Sequence, residues 1–327
     1  MKPTKERTNP TIPADTDLAA LRDELFAWYR QNGRDLPWRR TRDPYRILVA
    51  EVMLQQTQVD RIVPRYHAFL DRFPTFAALA TAPTADVIRE WSGLGYNRRA
   101  VNLQRTAQAV IERHDGIMPH NLRQLLDLPG IGPYTAGAIA CFAYEQDTGF
   151  FDTNIRRVLH RIFFGPELPK ERVSTRELQA LAEAIVPTGK GYEWNQSLME
   201  LGAVQCTARR PACLTCPVQS HCRAFPTIQT VIATLPKGTR KKKEEPFSGS
   251  TRYYRGRTIE ALRDLDDGET LDLTALGPLV RDDFSGEHLV WLRELVQGLS
   301  RDGLAQIAEE RAEYDADEPT TIRVRLP

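Results

Sequence analysis

The sequence predicts a mainly α-helical body that is followed by a small α+β domain. From residue 17 to about residue 225, apolar residues recur at helical spacing, as in Leu18, Leu21 and Leu25, and no alternating strand pattern of any length interrupts them. The charged run KGTRKKKEE (237–245) is typical of a linker. The chain then closes with TTIRVRLP, which has the β-branched residues and the alternation of a strand.

These patterns divide the chain into four parts. They are a disordered N-terminus (1–16), a helical domain (17–225), a linker (226–246) and a C-terminal domain (247–327). In the last part, the segment LTALGPLV and a helical run starting at His288 precede the final strand. A helix-rich module that is closed by a short β-pairing fits a winged-helix arrangement.

The composition is that of an intracellular globular protein. It is 41% hydrophobic and 27% charged, and no apolar run approaches the ~20 residues that a membrane span needs. The N-terminus is polar, so we expect no secretory signal. The formal charge of +1 hides an asymmetry, because the chain from residue 246 onward carries 10 basic and 17 acidic residues. The chain before residue 246 therefore carries 34 basic and 26 acidic residues. This basic part suggests a polyanionic partner, although a solvated surface without a partner explains the same charges.

Four cysteines with the spacing C-x6-C-x2-C-x5-C predict a metal centre. They are Cys206, Cys213, Cys216 and Cys222. Thiolates gathered in a compact loop are ligands for zinc or for an iron–sulfur cluster, and the spacing leaves both open. Disulfides are disfavoured, because an intracellular chain with only five cysteines is not a disulfide framework. The fifth, Cys141, lies on an apolar helix and is interpreted as a buried small side chain.

Three further segments carry chemistry. The turn LPGIGPYT (128–135) leads into an apolar helix, and its backbone amides could bind a phosphate, although such a turn also serves as mere connection. Asp152 precedes an amphipathic helix, where Asp152 or Asn154 is expected to be the N-cap, and Asp152 could also face a developing positive charge. Glu51 sits among apolar residues, which would raise its pKa and make it a proton donor; an exposed glutamate is the alternative.

Together these segments resemble the helix-hairpin-helix DNA glycosylases with a [4Fe–4S] cluster, the superfamily of endonuclease III and MutY. LPGIGPYTAGA resembles the hairpin, FDTNIRRV the catalytic-aspartate segment and the cysteine spacing the cluster loop, in the family's order. The resemblance covers residues 17–225 and implies a two-lobed helical fold, with iron–sulfur favoured over zinc. Within the superfamily, EVMLQQTQV (51–59), LPWR (36–39), GLGY (93–96) and NQSLMELGAVQC (195–206) resemble the MutY-type adenine glycosylases.

The resemblance implies a role for each matching residue. Glu51 would protonate adenine at N7, Asp152 would stabilise the cationic sugar, and Tyr134 and Asn154 would support them. The adenine pocket would be lined by Trp38, Arg39, Leu54 and Glu200. The strand carrying 8-oxoguanine would meet Gln55, Gln56, Thr57, Leu94 and Tyr96. Phosphates would be held by Gly130, Gly132, Arg209, Arg210 and Arg223. The cluster ligands would be Cys206, Cys213, Cys216 and Cys222.

The implied activity is the release of adenine that is mispaired with 8-oxoguanine or guanine in double-stranded DNA. Tyr134 stands where endonuclease III has its Schiff-base lysine, so a monofunctional glycosylase is expected. We expect a monomer in the cytoplasm, associated with the nucleoid, or in the nucleus of a eukaryote. The alternatives are a Mig-type thymine or uracil mismatch glycosylase and a non-catalytic DNA-binding protein.

Two features depart from the MutY pattern. MutY proteins usually end in a Nudix-like domain, whereas the acidic C-terminal domain of this chain does not have the sequence pattern of that fold. In addition, Thr153 replaces the glycine of the usual D-G-N segment, although Asp152 and Asn154 are retained. The first departure leaves open which residues complete the recognition of the opposite base.

Overall fold

A computed structural model describes residues 12–171, 173–235, 247–310 and 321–327, without the side chains of 309, 310 and 321. Most of the predicted disordered N-terminus and the basic run of the linker lie outside these ranges. Residues 12–16 of that N-terminus are placed: the amide of Thr16 donates to the carbonyl of Pro13, and Ile12 packs against the core. Residues 12–16, for which disorder is expected, therefore make specific contacts with the described chain.

The described chain is mainly helical, which confirms the predicted fold class. In chain order, the helices are α1 (Leu18–Asn32), α2 (Pro44–Leu54), α3 (Val59–Arg72), α4 (Phe76–Thr81), α5 (Thr84–Glu90), α6 (Arg98–His114), α7 (Leu122–Leu126), α8 (Pro133–Phe142), α9 (Thr153–Phe163), α10 (Thr175–Ala184), α11 (Gly191–Glu200), α12 (Ile228–Thr234), α13 (Thr251–Arg263), α14 (Leu273–Val280) and α15 (Leu289–Arg301). The strands are β1 (Leu271–Asp272), β2 (Gln306–Glu310) and β3 (Thr321–Arg325). No described helix is both long and apolar enough to cross a membrane.

The first of two compact units comprises Met1–Glu51, His120–Asp127 and Ile131–Lys237. Its core is built by the apolar faces of α1, α8, α9, α10 and α11, with Trp194 and Phe163 among its largest buried side chains. Side-chain caps define where these helices begin. Asp17 caps α1, and Ser174 forms a reciprocal capping box with Glu177 at the start of α10.

The second unit comprises Val52–Pro119, Leu128–Gly130 and Gly238–Pro327. It joins α3 to α6 with the described helices of the C-terminal region, because one apolar cluster contains Ile88 and Val101 together with residues of α13, α14 and α15. Polar contacts support this packing. Arg89 forms an ion pair with Asp267, and the amide of Ala85 donates to the carbonyl of Pro327.

The C-terminal region, for which a winged-helix arrangement is one expectation, combines three helices with a three-stranded sheet in its described residues. Helix α13 precedes β1, α14 and α15 precede β2, and β3 closes the sheet between β1 and β2 in antiparallel register. The stretch interpreted as a linker differs from the prediction, since α12 lies within it. Ile228, Val231 and Ile232 give α12 an apolar face, and Ile228 is buried.

Candidate active site and cluster loop

Glu51 is a buried carboxyl group on α2, with 3% of its surface exposed. Its Oε2 accepts a 2.8 Å hydrogen bond from the hydroxyl of Tyr134. Burial raises the pKa of Glu51 to about 7, and the negative charge of Asp152 adds to this, while the Tyr134 hydrogen bond and the charge of Arg39 oppose it. The carboxyl group can therefore carry or lose a proton near neutral pH. The alternative of an exposed glutamate is excluded.

Tyr134 is positioned by the glycine-containing turn that starts α8. Its ring packs edge-on against Phe150, with 5.6 Å between the ring centroids. Burial and the charges of Glu51 and Asp152 raise the pKa of its hydroxyl well above the usual value. The phenol therefore stays protonated and remains a hydrogen-bond donor to Glu51.

Asp152 is the N-cap of α9, which is one of the two alternatives that the sequence predicts. Its Oδ1 accepts hydrogen bonds from the backbone amides of Asn154 and Ile155 at 2.9 and 2.8 Å, and its Oδ2 accepts from the Asn154 side chain at 3.1 Å. The positive end of the helix dipole favours a negative charge at this place. The capping bonds fix the carboxylate in one orientation, in the unit that also contains Glu51.

Arg157 connects Asn154 with the start of the cysteine loop. Its guanidinium donates to Oδ1 of Asn154 at 2.8 Å, to the carbonyl of Cys206 at 2.7 Å and to the carbonyl of Gly202 at 2.7 Å. A π-helical turn, Leu201–Gln205, leads directly into Cys206. A Cβ atom on Gly202 would stand 2.9 Å from the Cβ of Asn154, so the turn approaches α9 closely because it has a glycine there.

Glu200 is fully buried and is neutralised by two arginines. It accepts hydrogen bonds from Arg34 at 2.6 Å and from Arg39 at 2.7 Å. Burial would raise the pKa of Glu200, but the bonds from Arg34 and Arg39 outweigh it and hold the pKa below the usual value. Arg39 also donates to Gln196 at 2.8 Å, and the neighbouring Trp38 is buried. The pair of Arg39 and Glu200 is therefore a fixed charged element of this unit.

In the second unit, Arg99 holds together two of the predicted opposite-strand segments. Its NH1 donates to the carbonyls of Val52, Met53 and Gln55, and its NH2 donates to the Thr57 hydroxyl and to the carbonyls of Leu94 and Gly95. Burial lowers the pKa of Arg99 to about 10, so the guanidinium remains charged at neutral pH. One side chain thus joins the segment 55–57 at the end of α2 to the loop 93–96.

Two residues of these segments have a left-handed backbone that is rare for non-glycine residues. Gln56 has φ 57° and Tyr96 has φ 46°. Both side chains are exposed, and 49% of the Tyr96 surface is accessible. Leu94 is buried instead, which makes it a support of the loop rather than an exposed contact. Leu54, predicted for the base pocket, is half-buried at the end of α2.

The predicted phosphate contacts are of two kinds. Gly130 has φ 81° and is exposed, and the turn containing it is held by a 2.6 Å bond from the Thr106 hydroxyl to the carbonyl of Pro129. Gly132 is the N-cap of α8. Among the arginines, Arg209 and Arg210 are exposed, whereas Arg223 forms an ion pair with Asp15.

The four cysteines of the predicted metal site line one small cavity of about 20 Å³, together with Arg161 and apolar side chains. Two nitrogen donors face the sulfurs: Arg161 lies 3.5 Å from the Sγ of Cys206, and Gln229 lies 3.7 Å from that of Cys213. Among the described residues, no three histidine, cysteine or acidic side chains converge on a point that could hold one metal ion. Four thiolates gathered in one loop can each bind one iron of an iron–sulfur cluster.

Two family models match the chain. Residues 49–184 match the HhH-GPD superfamily of base excision DNA repair proteins, and residues 206–222 match the iron–sulfur binding domain of endonuclease III. The adenine DNA glycosylase of Mycolicibacterium smegmatis is 43% identical over 243 residues, which cover 74% of this chain and 80% of that protein. The chain belongs to the adenine DNA glycosylase family. This confirms the resemblance, and the match at 206–222 confirms that the cofactor is a [4Fe–4S] cluster.

The human adenine DNA glycosylase is 42% identical over 217 residues, which cover 64% of this chain and 40% of the human protein. The chain thus spans four fifths of its mycobacterial relative but less than half of the mammalian relatives.

Among solved structures, a thermostable thymine-DNA glycosylase superposes with a TM-score of 0.60 at 31% identity, over 64% of this chain and 97% of that chain. A non-covalent endonuclease III–DNA complex superposes with a TM-score of 0.56 at 22% identity, over 65% of this chain and 96% of that chain, and shows the shared fold. The family assignment and the matched base excision repair model identify the chain as a DNA glycosylase.

Sequence reasoning missed three side chains that hold the candidate site residues in place. Arg34 and Gln196 hold Arg39 and Glu200, and Arg157 holds Asn154. The contact of Arg157 with Asn154 could have been predicted from the sequence, because residues three positions apart lie on the same face of a helix. Arg34 and Gln196 are far apart in sequence from the partners they bind, so local spacing could not find them.

Proposed function

We propose that this glycosylase flips adenine out of duplex DNA and hydrolyses its N-glycosidic bond when adenine is mispaired with 8-oxoguanine or guanine. The observation that carries the proposal is the buried Glu51, whose pKa of about 7 and hydrogen bond from Tyr134 suit a general acid at neutral pH. The names of the relatives at 37–43% identity support adenine as the base.

In this mechanism, Glu51 transfers its proton to N7 of the flipped adenine. Protonation lets the base leave with the electron pair of the C1′–N9 bond, because the neutral adenine is a better leaving group than its anion. Tyr134 donates its hydrogen bond to Oε2 of Glu51. The acidic proton would therefore be on Oε1, which would face the base. The same bond orients the carboxyl group, so the proton is delivered in a fixed direction.

Asp152 stabilises the positive charge that develops on the sugar when the bond breaks. Its two capped oxygens and its place at the start of α9 hold a negative charge ready before the reaction. Water then adds at C1′ and gives up a proton, which restores the acid form of Glu51 through solvent. A transient bond between Asp152 and C1′ is compatible with the same arrangement, as in glycoside hydrolysis.

Trp38, Arg39, Leu54 and Glu200 would receive the flipped base, which must leave the duplex before chemistry can occur. Two observations favour these roles: the four residues lie in segments that resemble the family, and Arg39 and Glu200 form a fixed ion pair. Gln56 and Tyr96 would fill or wedge the base stack near 8-oxoguanine on the opposite strand, and Gln55, Thr57 and Leu94 would hold these two in place. An exposed aromatic side chain can compensate for lost stacking.

The enzyme is proposed to be monofunctional. A Schiff-base lyase needs an amine at the sugar, and Tyr134 provides a phenol at that position. Borohydride reduction during turnover tests this point. We expect no covalent enzyme–DNA adduct, and a trapped adduct in high yield would show that another amine of the chain acts on the sugar.

Product analysis with defined duplexes tests the substrate. The protein is incubated with duplexes that carry adenine opposite 8-oxoguanine, adenine opposite guanine, thymine opposite guanine and uracil opposite guanine. We expect free adenine from the first two and a faster single-turnover rate with 8-oxoguanine. If no adenine is released from either duplex, the proposed function is wrong.

A second candidate is a thymine or uracil mismatch glycosylase. The solved thymine-DNA glycosylase, 31% identical with a TM-score of 0.60, favours it. Release of thymine or uracil without adenine in the same assay would select it. A non-catalytic DNA-binding role is disfavoured, because Glu51 and Asp152 are both present and both are held by specific hydrogen bonds.

As a DNA glycosylase, the protein is proposed to act as a monomer on chromosomal DNA, in the bacterial cytoplasm or in a eukaryotic nucleus. The proposed phosphate contacts would be made by Gly130, Gly132, Arg209, Arg210 and Arg223. Arg223 would have to exchange Asp15 for a phosphate, so its contribution should be smaller than that of the exposed Arg209 and Arg210.

A further inference from the structure

The second unit contains a groove between the start of α13 and the loop that ends at Tyr96. It encloses about 580 Å³. The side chains that line it include Tyr96, Asn102, Phe247, Arg252, Arg255 and Ile259. The groove is thus formed jointly by the C-terminal domain and by a segment that the family resemblance connects with the opposite DNA strand.

Two exposed aromatic rings line this groove. Phe247 is 58% exposed and Tyr96 is 49% exposed, whereas Ile259 and Leu304, which also line it, are buried. Tyr96 keeps its left-handed backbone because Arg99 binds the carbonyls of the residues before it. The tyrosine is therefore presented from a fixed loop, with an apolar surface beside it.

The groove is cationic although the C-terminal domain as a whole is acidic. Four arginines and no carboxylate are among its described lining residues. Arg98 and Arg255 both pair with Asp302, which lies outside the lining. Arg252 lies 3.4 Å from the Tyr96 hydroxyl and 5.0 Å from the centre of the Phe247 ring, and no ion pair to it exists in the part of the chain that the structure describes.

A guanidinium between two exposed aromatic rings is a combination that suits a nucleotide. The rings can stack on an unstacked base, and the arginine can bind the adjoining phosphate. A peptide partner would not need the cationic lining, and an anion alone would not need the aromatic rings. The charge and the aromatic character together favour single nucleotides of a nucleic acid strand.

We propose that this groove binds a nucleotide of the DNA strand opposite the excised base, with Arg252 on its phosphate and Phe247 and Tyr96 against its base. The inference rests on the proposed function, because it places the loop of Tyr96 at that strand. The C-terminal domain then takes part in the recognition of the opposite strand through the first turn of α13.

Binding of a stable substrate analogue tests the groove. Duplexes carry 2′-fluoro-2′-deoxyadenosine, which resists hydrolysis, opposite 8-oxoguanine, and the Kd is measured at several salt concentrations. Arg252→Gln should weaken binding about tenfold and lower the slope of log Kd against log salt by about one. Phe247→Ala should weaken binding about fivefold, with an unchanged slope.

Arg257→Gln is the matched control. Arg257 lies on the same helix and carries the same charge, but it pairs with Asp282 and does not line the groove. Its Kd and slope should stay within about twofold of the wild type. Both tested side chains are exposed, so the thermal unfolding of the variants should match the wild type, and Arg252→Lys should restore part of the salt slope.

Cross-linking identifies the strand. A 5-iodouracil next to the 8-oxoguanine should cross-link to a peptide containing Tyr96 or Phe247, and one next to the adenine should not. If Arg252→Gln and Phe247→Ala bind like Arg257→Gln, or if only the adenine strand cross-links there, the groove proposal is wrong while adenine release by the wild type still stands. Absence of adenine release would instead overturn the proposed function itself.

Discussion

The hydroxyl of Tyr134 donates a 2.8 Å hydrogen bond to Oε2 of Glu51. This bond stabilises the charged carboxylate and opposes the burial that raises the pKa of Glu51 to about 7. The bond thus joins Glu51 on α2 to Tyr134 in the first turn of α8, two elements that are far apart in sequence. The hydrogen bond orients the carboxyl group and, against the larger effect of burial, lowers the pH up to which Glu51 stays protonated.

The rate of base release should depend on pH through Glu51. An acid with a pKa near 7 is protonated below that pH, so the single-turnover rate should be highest on the acidic side and fall about tenfold per unit well above pH 7. Tyr134→Phe removes the bond that lowers the pKa, so the descending limb should move to higher pH. Tyr254→Phe, in the C-terminal domain, should leave the profile unchanged. A Tyr134→Phe profile that shifts to lower pH would contradict this account.

Arg157→Gln should impair both the chemistry and the retention of the cluster. Arg157 holds Asn154, which in turn holds Asp152, and it also binds the carbonyl of Cys206. We expect a fall in the single-turnover rate of at least tenfold and a lower ratio of iron to protein. Iron analysis and visible absorbance of the purified protein measure the second effect.

Arg156→Gln is the control for Arg157. Arg156 is the neighbouring residue on α9 and pairs with Glu171 instead. Its substitution should leave rate and iron content near wild-type values. If the two variants behave alike, Arg157 does not position the site.

Glu200→Ala should destabilise the protein strongly. Removing Glu200 leaves Arg39 and Arg34 without their buried partner, a change that costs on the order of 3–5 kcal/mol in other proteins, here reduced because Arg34 is partly exposed. We therefore expect about 3 kcal/mol, measured as a shift of the denaturant midpoint. Glu193→Ala breaks the exposed pair with Arg30 and should cost less than about 1 kcal/mol. Equal losses in the two variants would mean that burial of Glu200 does not matter.

Arg99→Lys should reduce selectivity for the opposite base. A lysine cannot reach the carbonyls of Val52, Met53 and Gln55 together with those of Leu94 and Gly95, because it lacks the fork of the guanidinium. The ratio of single-turnover rates for 8-oxoguanine and guanine opposite adenine should fall about tenfold. Arg113→Lys, at the exposed end of α6, is the control. An unchanged ratio would show that the two loops do not need this joint support.

Much of the fold and of the site follows from local sequence. The capping role of Asp152 is decided by residues two and three positions away, and the helical body by the spacing of apolar residues. The cysteine spacing similarly identifies a metal loop without further context. Each of these predictions depends on contacts within a few residues along the chain.

The rest depends on long-range contacts that spacing does not encode. The hydrogen bond between Glu51 and Tyr134 joins residues 83 positions apart, and the bond between Arg39 and Glu200 joins residues 161 positions apart. Burial of Glu51 could not be separated from exposure on an amphipathic helix. The groove beside Tyr96 needs the packing of α13, which the acidic composition of its domain gave no reason to expect.

The most direct test of the central claim is a single-turnover assay with adenine opposite 8-oxoguanine, using the wild type, Glu51→Gln and Asp152→Asn at neutral pH. The account predicts adenine release by the wild type and a loss of at least about a hundredfold in both variants, with duplex binding retained. Adenine release at the wild-type rate by Glu51→Gln would contradict it, because the glutamine has no proton of suitable acidity to give.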